Sequence, residues 1–277
     1  MGYIPSMTFD TSQAVPGAAP LLGPGDPPVY DFINPDGTAP VLLVCDHASP
    51  VVPASMGHLG LAEAAFHRHI AYDIGAAAVT RGLAARLNAP AVLAGYSRLL
   101  IDLNRQPGDP GSIPPISDGT HIPANQSLSE GEEEDRVETF FWPYHHAITN
   151  GLAHLWRMGP APAVFSVHTF TPSLAGEDRK WHIGVLWNRD PRIARPLMEK
   201  LAAHDHLHVG DNEPYSGRKI AYTLNLHGGA AGLPNCAVEI RQDLVEDEAG
   251  AERWADLLAG VLGEILGGSN LHRVEQF

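Results

Sequence analysis

Four residues have the types and settings that metal-assisted chemistry uses: His47, Asp73, His168 and Glu239. His47 follows the apolar run in "VLLVCDHASP", and His168 lies near the end of the run in "APAVFSVHTF". Neutral imidazole is the commonest zinc ligand, and a catalytic zinc site has three protein ligands and one open position. Two strand-end histidines supply two of the three. Asp73 suits the third place, one helical turn after His69 on the same face. Asp46 competes with it but adjoins His47, and adjacent side chains on a strand point apart. A lone strand-end histidine is more often a hydrogen-bonded structural residue. No HExxH or CxxC pattern sharpens the choice, so spacing alone leaves the metal open.

Glu239 interrupts the apolar run "NCAVEIRQDL". A carboxylate there is costly to bury unless it is paired or functional. Beside an activated water it would be a general base. The alternative is a salt bridge to Arg241, two residues on along the same strand face. "SRLLIDLNR" contributes Arg98, Asp102, Asn104 and Arg105. Asn104 and Arg105 open a long loop and could hold a substrate carboxylate, since arginine binds carboxylates bidentately. Arg98 and Asp102 could equally be a structural pair. Arg179 is a further candidate for an acidic substrate. Tyr215, in "DNEPYSG", could cover a substrate, stabilise an oxyanion or simply occupy a turn. His145 and His146 could face the site or stabilise their helix.

The elements that must position these residues alternate. Short apolar runs at 39–45, 89–96 and 161–170, a run at 180–188 and another at 235–244 read as strands, with 98–102 as a further one. Between them, 61–88 reads as a short turn and then a long helix carrying Asp73. Segments 132–158, with Pro143 forcing a kink or break, 191–204 and 247–266 also read as helices. This is an α/β sandwich with a largely parallel sheet, and in such sheets ligands bind beyond the carboxyl ends of the strands. Residues 1–38, rich in Pro, Gly and Ala, read as a surface arm, and 39–277 as a single catalytic domain. The Pro- and Gly-punctuated stretch 104–131 is long enough to be a functional loop.

Composition narrows the partners. The 277 residues carry a formal net charge of −14, a poor basis for general nucleic-acid binding. An anionic small molecule would need a local basic pocket. Two cysteines, Cys45 and Cys236, give no disulfide framework. A thiol hydrolase built on Cys45 is not favoured, because Cys45 closes a continuous apolar run and reads as a buried packing thiol. No apolar run approaches about 18 residues, and no secretory pattern opens the chain, so the expected protein is cytoplasmic and does not engage a membrane.

Eight segments in unbroken order, "CDHAS", "HRHIAYDIGA", "YSRLLIDLNR", "SDGTHIPAN", "WPYHHAI", "SVHTFTPSLAGEDRKWHIGVL", "VGDNEPYSG" and "VEIRQDL", resemble the N-formylglutamate amidohydrolase family in its shorter branch. The resemblance implies a zinc-exopeptidase-like fold: a three-layer α/β/α sandwich with a mostly parallel mixed sheet, of the phosphorylase/hydrolase-like type, related to carboxypeptidases and cell-wall amidases. It implies one Zn²⁺ per chain on His47, Asp73 and His168, with Glu239 catalytic. Asp46 and Asp102 would be supporting residues behind the ligands. Asn104 and Arg105 resemble the Asn-Arg pair with which carboxypeptidases hold a substrate carboxylate; Arg98, Arg179, Tyr215 and Arg241 complete the candidate substrate-binding set. In carboxypeptidase-type sites an acidic ligand stands three residues after the first His. Here that position is Pro50, so the Asp73 assignment follows the amidase pattern. The implied reaction is hydrolysis of N-formyl-L-glutamate to formate and glutamate. The alternatives are another N-acyl amino acid, a cell-wall peptide fragment, or a non-catalytic binding protein with the same pocket.

Overall fold

The apolar runs at the centre of the sequence become central strands because each is buried on both faces. The computed structural model describes residues 21–174 and 176–277. In chain order the elements are β1 (Tyr30–Ile33), β2 (Val41–Cys45), α1 (Ala76–Leu87), β3 (Ala91–Ala94), β4 (Ile116–Ser117), β5 (Thr120–His121), α2 (Glu130–Arg136), α3 (Trp142–Met158), β6 (Ala163–Phe170), β7 (Ser173–Leu174) and β8 (Glu177–Asp178). Then follow β9 (Ile183–Leu186), α4 (Ala194–Ala202), β10 (Val209–Asp211), α5 (Tyr222–Leu224), β11 (Asn235–Arg241) and α6 (Glu248–Leu266). Seven strands form one sheet in the order β1-β3-β2-β6-β11-β9-β10. The pairs β3–β2, β2–β6 and β6–β11 are parallel, as is β9–β10; β1–β3 and β11–β9 are antiparallel.

Strand alternation sends side chains to two separate cores. Leu43, Cys45, Phe165, Val167, Val238 and Ile240 pack against α1, α4 and α6 on one face. Leu42, Val44, Val164 and Ala237 pack against α3 and α5 on the other. The result is a three-layer α/β/α sandwich. Among the described residues no helix is long and apolar enough to cross a membrane.

Three local readings are corrected. The described part of the 1–38 arm contains a strand: Tyr30–Ile33 pairs with β3 and finishes the sheet edge, while residues 1–20 lie outside the described residues. Segment 98–102 is not a strand. Its backbone is engaged by loops instead: Arg98 N–H donates to Ala71 O, Leu100 N–H to Ser97 O, and Asn125 Nδ2 to Leu99 O. The buried Arg136 completes that clamp, donating to Leu100 O, Asn125 Oδ1 and Ala124 O at 2.7–2.9 Å. Finally, helix α1 starts three residues after Asp73. Gly75 enters it at φ +82°, where a Cβ would stand 2.3 Å from Val245 O. Only glycine tolerates that left-handed, crowded position. The expected break near Pro143 is present: α2 ends at Arg136, and Pro143 stands in the first turn of α3. A π turn over Val137–Phe141 bridges the two helices, so the backbone accommodates a residue that has no N–H to donate.

Candidate functional site

The carboxyl ends of β2, β6 and β11 lie side by side, and the register sets Glu239 opposite His168. His47 lies two residues beyond β2. Asp73 is brought to it by the chain itself, since its N–H donates to His47 O at 2.9 Å. Asp73 thus sits in the irregular segment before α1, not on a helix face shared with His69. Its Oδ2 is 3.3 Å from His47 Nδ1 and 2.9 Å from His168 Nδ1, and Thr169 N–H donates to the same oxygen at 3.3 Å. One donor atom from each of His47, Asp73 and His168 lies within 4.8 Å of the other two.

The far side of each imidazole meets a second carboxylate. His47 Nε2 is 2.7 Å from Asp102 Oδ1 and His168 Nε2 is 3.1 Å from Asp46 Oδ2. Both acids are themselves anchored. Asp46 Oδ1 accepts from Tyr144 OH at 2.9 Å and from Thr223 Oγ1 at 2.8 Å. Asp102 accepts from Arg98 at 2.6 Å and from Asn104 N–H at 2.9 Å. A carboxylate behind a ligating imidazole fixes its tautomer and its direction, presenting the opposite nitrogen to a metal.

The electrostatics suit a cation. Burial alone would raise the carboxyls of Asp73 and Asp102. For Asp73 the histidines override it, and for Asp102 Arg98 and His47 do, holding both far below the usual carboxylate range. Burial likewise opposes charge on His168, yet Asp46 and Asp73 lift it well above the ordinary histidine value. His47 is also raised, with burial and Arg98 opposed by Asp102 and Asp73. Asp46, Asp73 and Asp102 are all buried, and Arg98 is the guanidinium that pairs with two of them. One guanidinium against three carboxylates leaves two negative charges for a divalent cation to balance while both imidazoles stay neutral. Two imidazoles and a carboxylate are also a donor set that catalytic zinc uses. The residues fit the metal.

Glu239 lines the cleft beside this cluster and is 7% exposed. Its Oε2 is buried without a hydrogen-bond partner. Burial, reinforced by Asp73 and opposed by His168, His47 and Arg98, pushes its carboxyl up to about 7. Arg241 does not pair with it; Arg241 is engaged with Asp243 at 2.7 and 3.1 Å.

The cleft holds about 170 Å³. Asn104, Arg105, Arg98 and Tyr215 line it, together with His69, Thr169, Phe170 and Gln242. Asn104 Oδ1 accepts from Thr223 N–H at 3.0 Å, which leaves its amide NH₂ as the free donor. Arg179 sits behind the wall: it donates to Tyr215 OH at 2.9 Å and lies 4.8 Å from the Tyr215 ring centroid. Neither Arg105 nor Arg179 has an ion-pair partner among the described residues, whereas Arg98 and Arg241 do. Cys45 packs into the core on the other face of the sheet, its thiol pushed up by burial, and takes no part in the site. Sequence reasoning passed over Tyr144 and Thr223, which hold Asp46, and over Thr169 and Gln242. The last two follow His168 and Glu239 directly or within three residues, so extending each strand end by one turn would have found them.

Residues 39–246 match the N-formylglutamate amidohydrolase family. The chain belongs to that family. A gene product from Agrobacterium tumefaciens of solved structure is 33% identical over 89% of this chain and 98% of its own, with a TM-score of 0.86. The N-formylglutamate amidohydrolase from Ralstonia eutropha JMP134 shares the family fold at 17% identity, covering 86% of this chain and 96% of that one with a TM-score of 0.61. No curated protein sequence matches this chain.

Around this family core, a buried histidine pair supports the loop that carries Asn104. His145 Nε2–H donates to Leu103 O at 2.9 Å, so its Nδ1 must accept from His227 Nε2–H at 2.8 Å. His145 therefore supports the site from behind, while His146 stacks on Trp142. Burial draws His145 down to about 4 and His227 down to about 3. Both stay neutral in the fold while the unfolded chain protonates near 6.5. The unfolded state then binds more protons, and stability falls as pH drops from about 6.5 toward 4. Each histidine contributes a slope of up to about 1.4 kcal/mol per pH unit. Urea unfolding between pH 7 and 4.5 should show a shallower loss in the double variant His145→Gln, His227→Gln than in the wild type.

Proposed function

We propose that this protein is a zinc-dependent amidohydrolase that cleaves a small N-acylated acidic amino acid, with N-formyl-L-glutamate, giving formate and glutamate, as the leading substrate. The observation that carries the reading is one convergence. Two imidazoles and a carboxylate meet at one point, an unpartnered buried carboxyl stands beside them, and Arg105, without an acidic partner, lines the same cleft, with Arg179 behind its Tyr215.

His47, Asp73 and His168 would hold one Zn²⁺ per chain, with Asp46 and Asp102 orienting the two imidazoles. When bound, zinc supplies Lewis-acid chemistry, acidifying a water toward a pKa of about 7 and polarising the amide carbonyl. Glu239 takes the attacking water's proton and returns it to the leaving nitrogen. A carboxyl whose burial places it near 7 can do both at neutral pH. Tyr215 accepts from Arg179 through its oxygen, so its own O–H is free to donate to the developing oxyanion. The free NH₂ of Asn104 and the guanidinium of Arg105 grip the substrate's α-carboxylate. Arg179 adds positive charge for an acidic side chain. Arg98, already paired, acts through Asp102 and Asp73, which it holds; Arg241, paired with Asp243 outside the cleft lining, is given no contact with the substrate.

Arg105→Ala should raise KM by roughly 10- to 100-fold, the scale of a lost charge-assisted hydrogen bond, with zinc content unchanged. Steady-state kinetics on N-formylglutamate measure it.

The test of the whole reading is metal analysis together with formate release from N-formylglutamate. Zinc with formate release is the expected result. Zinc without formate would shift the reading to another N-acyl amino acid or a cell-wall peptide fragment. A protein that takes up no metal would instead be a binding protein.

A further inference from the structure

Among the described residues, three buried side-chain polar atoms have no hydrogen-bond partner: His69 Nε2, Ser166 Oγ and Glu239 Oε2. His69 Nε2 faces Asp118 Oδ2 at 3.5 Å and lines the open cleft. Ser166 is different. It is 1% exposed and does not reach the cleft. It lines a second cavity, of about 10 Å³, whose wall also includes Glu239, His168, Asn104 and the aliphatic side chains of Leu186 and Leu224.

The register explains how one cavity is lined by both of the residues that carry an orphaned atom. Ser166 lies two residues before His168, on the same face of β6, and its partner Ala237 lies two residues before Glu239 on β11. Alanine at 237 opens a small space between the two polar groups. A serine hydroxyl buried without a partner costs roughly 1–3 kcal/mol, whereas Ala or Val would fill the same strand position at no such cost. A cavity of about 10–15 Å³ with two to four polar partners has the size and chemistry to hold one water.

We infer that Ser166 and Glu239 share a single buried water, through which Ser166 acts as a positioning residue for the carboxyl that moves the proton. The water pins Oε2 from behind and leaves the carboxyl directed at the cleft. Ser166 touches neither substrate nor metal. The inference rests on the proposed role of Glu239 as the base.

The test combines a high-resolution crystal structure of the zinc-loaded protein with kinetics of Ser166→Ala. The expected structure has one water within 2.6–3.2 Å of both Ser166 Oγ and Glu239 Oε2, ordinary hydrogen-bond distances. The variant should lose roughly 10- to 100-fold in kcat, the scale of a hydrogen bond to a charged group. Its KM, zinc content and melting temperature should stay near wild type, a split that a merely structural serine would not produce. A cavity without such a water, or a Ser166→Ala enzyme with wild-type kcat, overturns the inference. An active Glu239→Gln enzyme would instead overturn the reading of Glu239, and the crystallographic water would still be there to see.

Discussion

Glu239→Gln should lose roughly 10²- to 10⁴-fold in kcat with zinc still bound, the range that general acid–base catalysis contributes. Glutamine keeps the shape and both polar atoms of the side chain but cannot accept a proton. Glu239 belongs to neither the ligand set nor its supporting carboxylates, so metal content is expected to survive. The free-enzyme carboxyl lies near 7, and a cation beside it favours the charged form, so the acidic limb of kcat/KM should fall below pH 7 in the zinc enzyme. Stability should move the other way. A carboxyl raised from 4.5 holds its proton in the fold after the unfolded chain has released it. It therefore lowers the stability of the metal-free protein as pH rises from about 4.5 to 7. The Gln variant, lacking that proton, should melt higher than wild type at pH 7 without metal. Stopped assays, bound-zinc measurement and thermal melts read all three effects. A zinc-loaded Gln variant with wild-type turnover removes Glu239 from the reaction.

Asp73→Asn should weaken zinc binding more than any change behind the ligands. Asp73 Oδ2 is the point on which both histidine Nδ1 atoms and Thr169 N–H converge, and its other oxygen is 3.5 Å from Arg98. An amide supplies a weaker donor and no charge, and leaves Arg98 less compensated. Asp46→Asn and Asp102→Asn remove only the carboxylates that orient an imidazole, changes that cost roughly 10- to 100-fold in metal affinity. Asp73→Asn should exceed that range. Competition against a chelator ranks the three. Equal affinities for Asp73→Asn and wild type would place the metal on other ligands.

How much of this was legible in the sequence follows from what each element depends on. The central strands were readable because a strand buried on both faces has to be continuously apolar, as "VLLVC" and "AVFSV" are. The edge strand Tyr30–Ile33 was not, since half-exposed residues among prolines and glycines carry little periodic signal. Segment 98–102 has a strand's composition, but its backbone partners are Ala71 and Asn125, contacts that no local pattern encodes. In the site, His47 and His168 could be found from strand ends, and Glu239 from the cost of burying a carboxylate. The direction of the supporting acids could not. Asp46 serves His168 rather than its neighbour His47, because alternation turns it to the α3 face, where Tyr144 and Thr223 wait. His47 is served by Asp102, which arrives from a loop 55 residues away. Helical spacing from His69 points to Asp73, yet Asp73 precedes the helix and is set by its own hydrogen bond to His47 O.

Anomalous diffraction from crystals of the protein grown with zinc tests the central claim most directly. The predicted result is one peak per chain at the zinc edge, bonded to Nδ1 of His47, Nδ1 of His168 and a carboxylate oxygen of Asp73, with Glu239 beside it and unligated. A chain with no peak at that point, or with zinc held by other residues, would contradict the account.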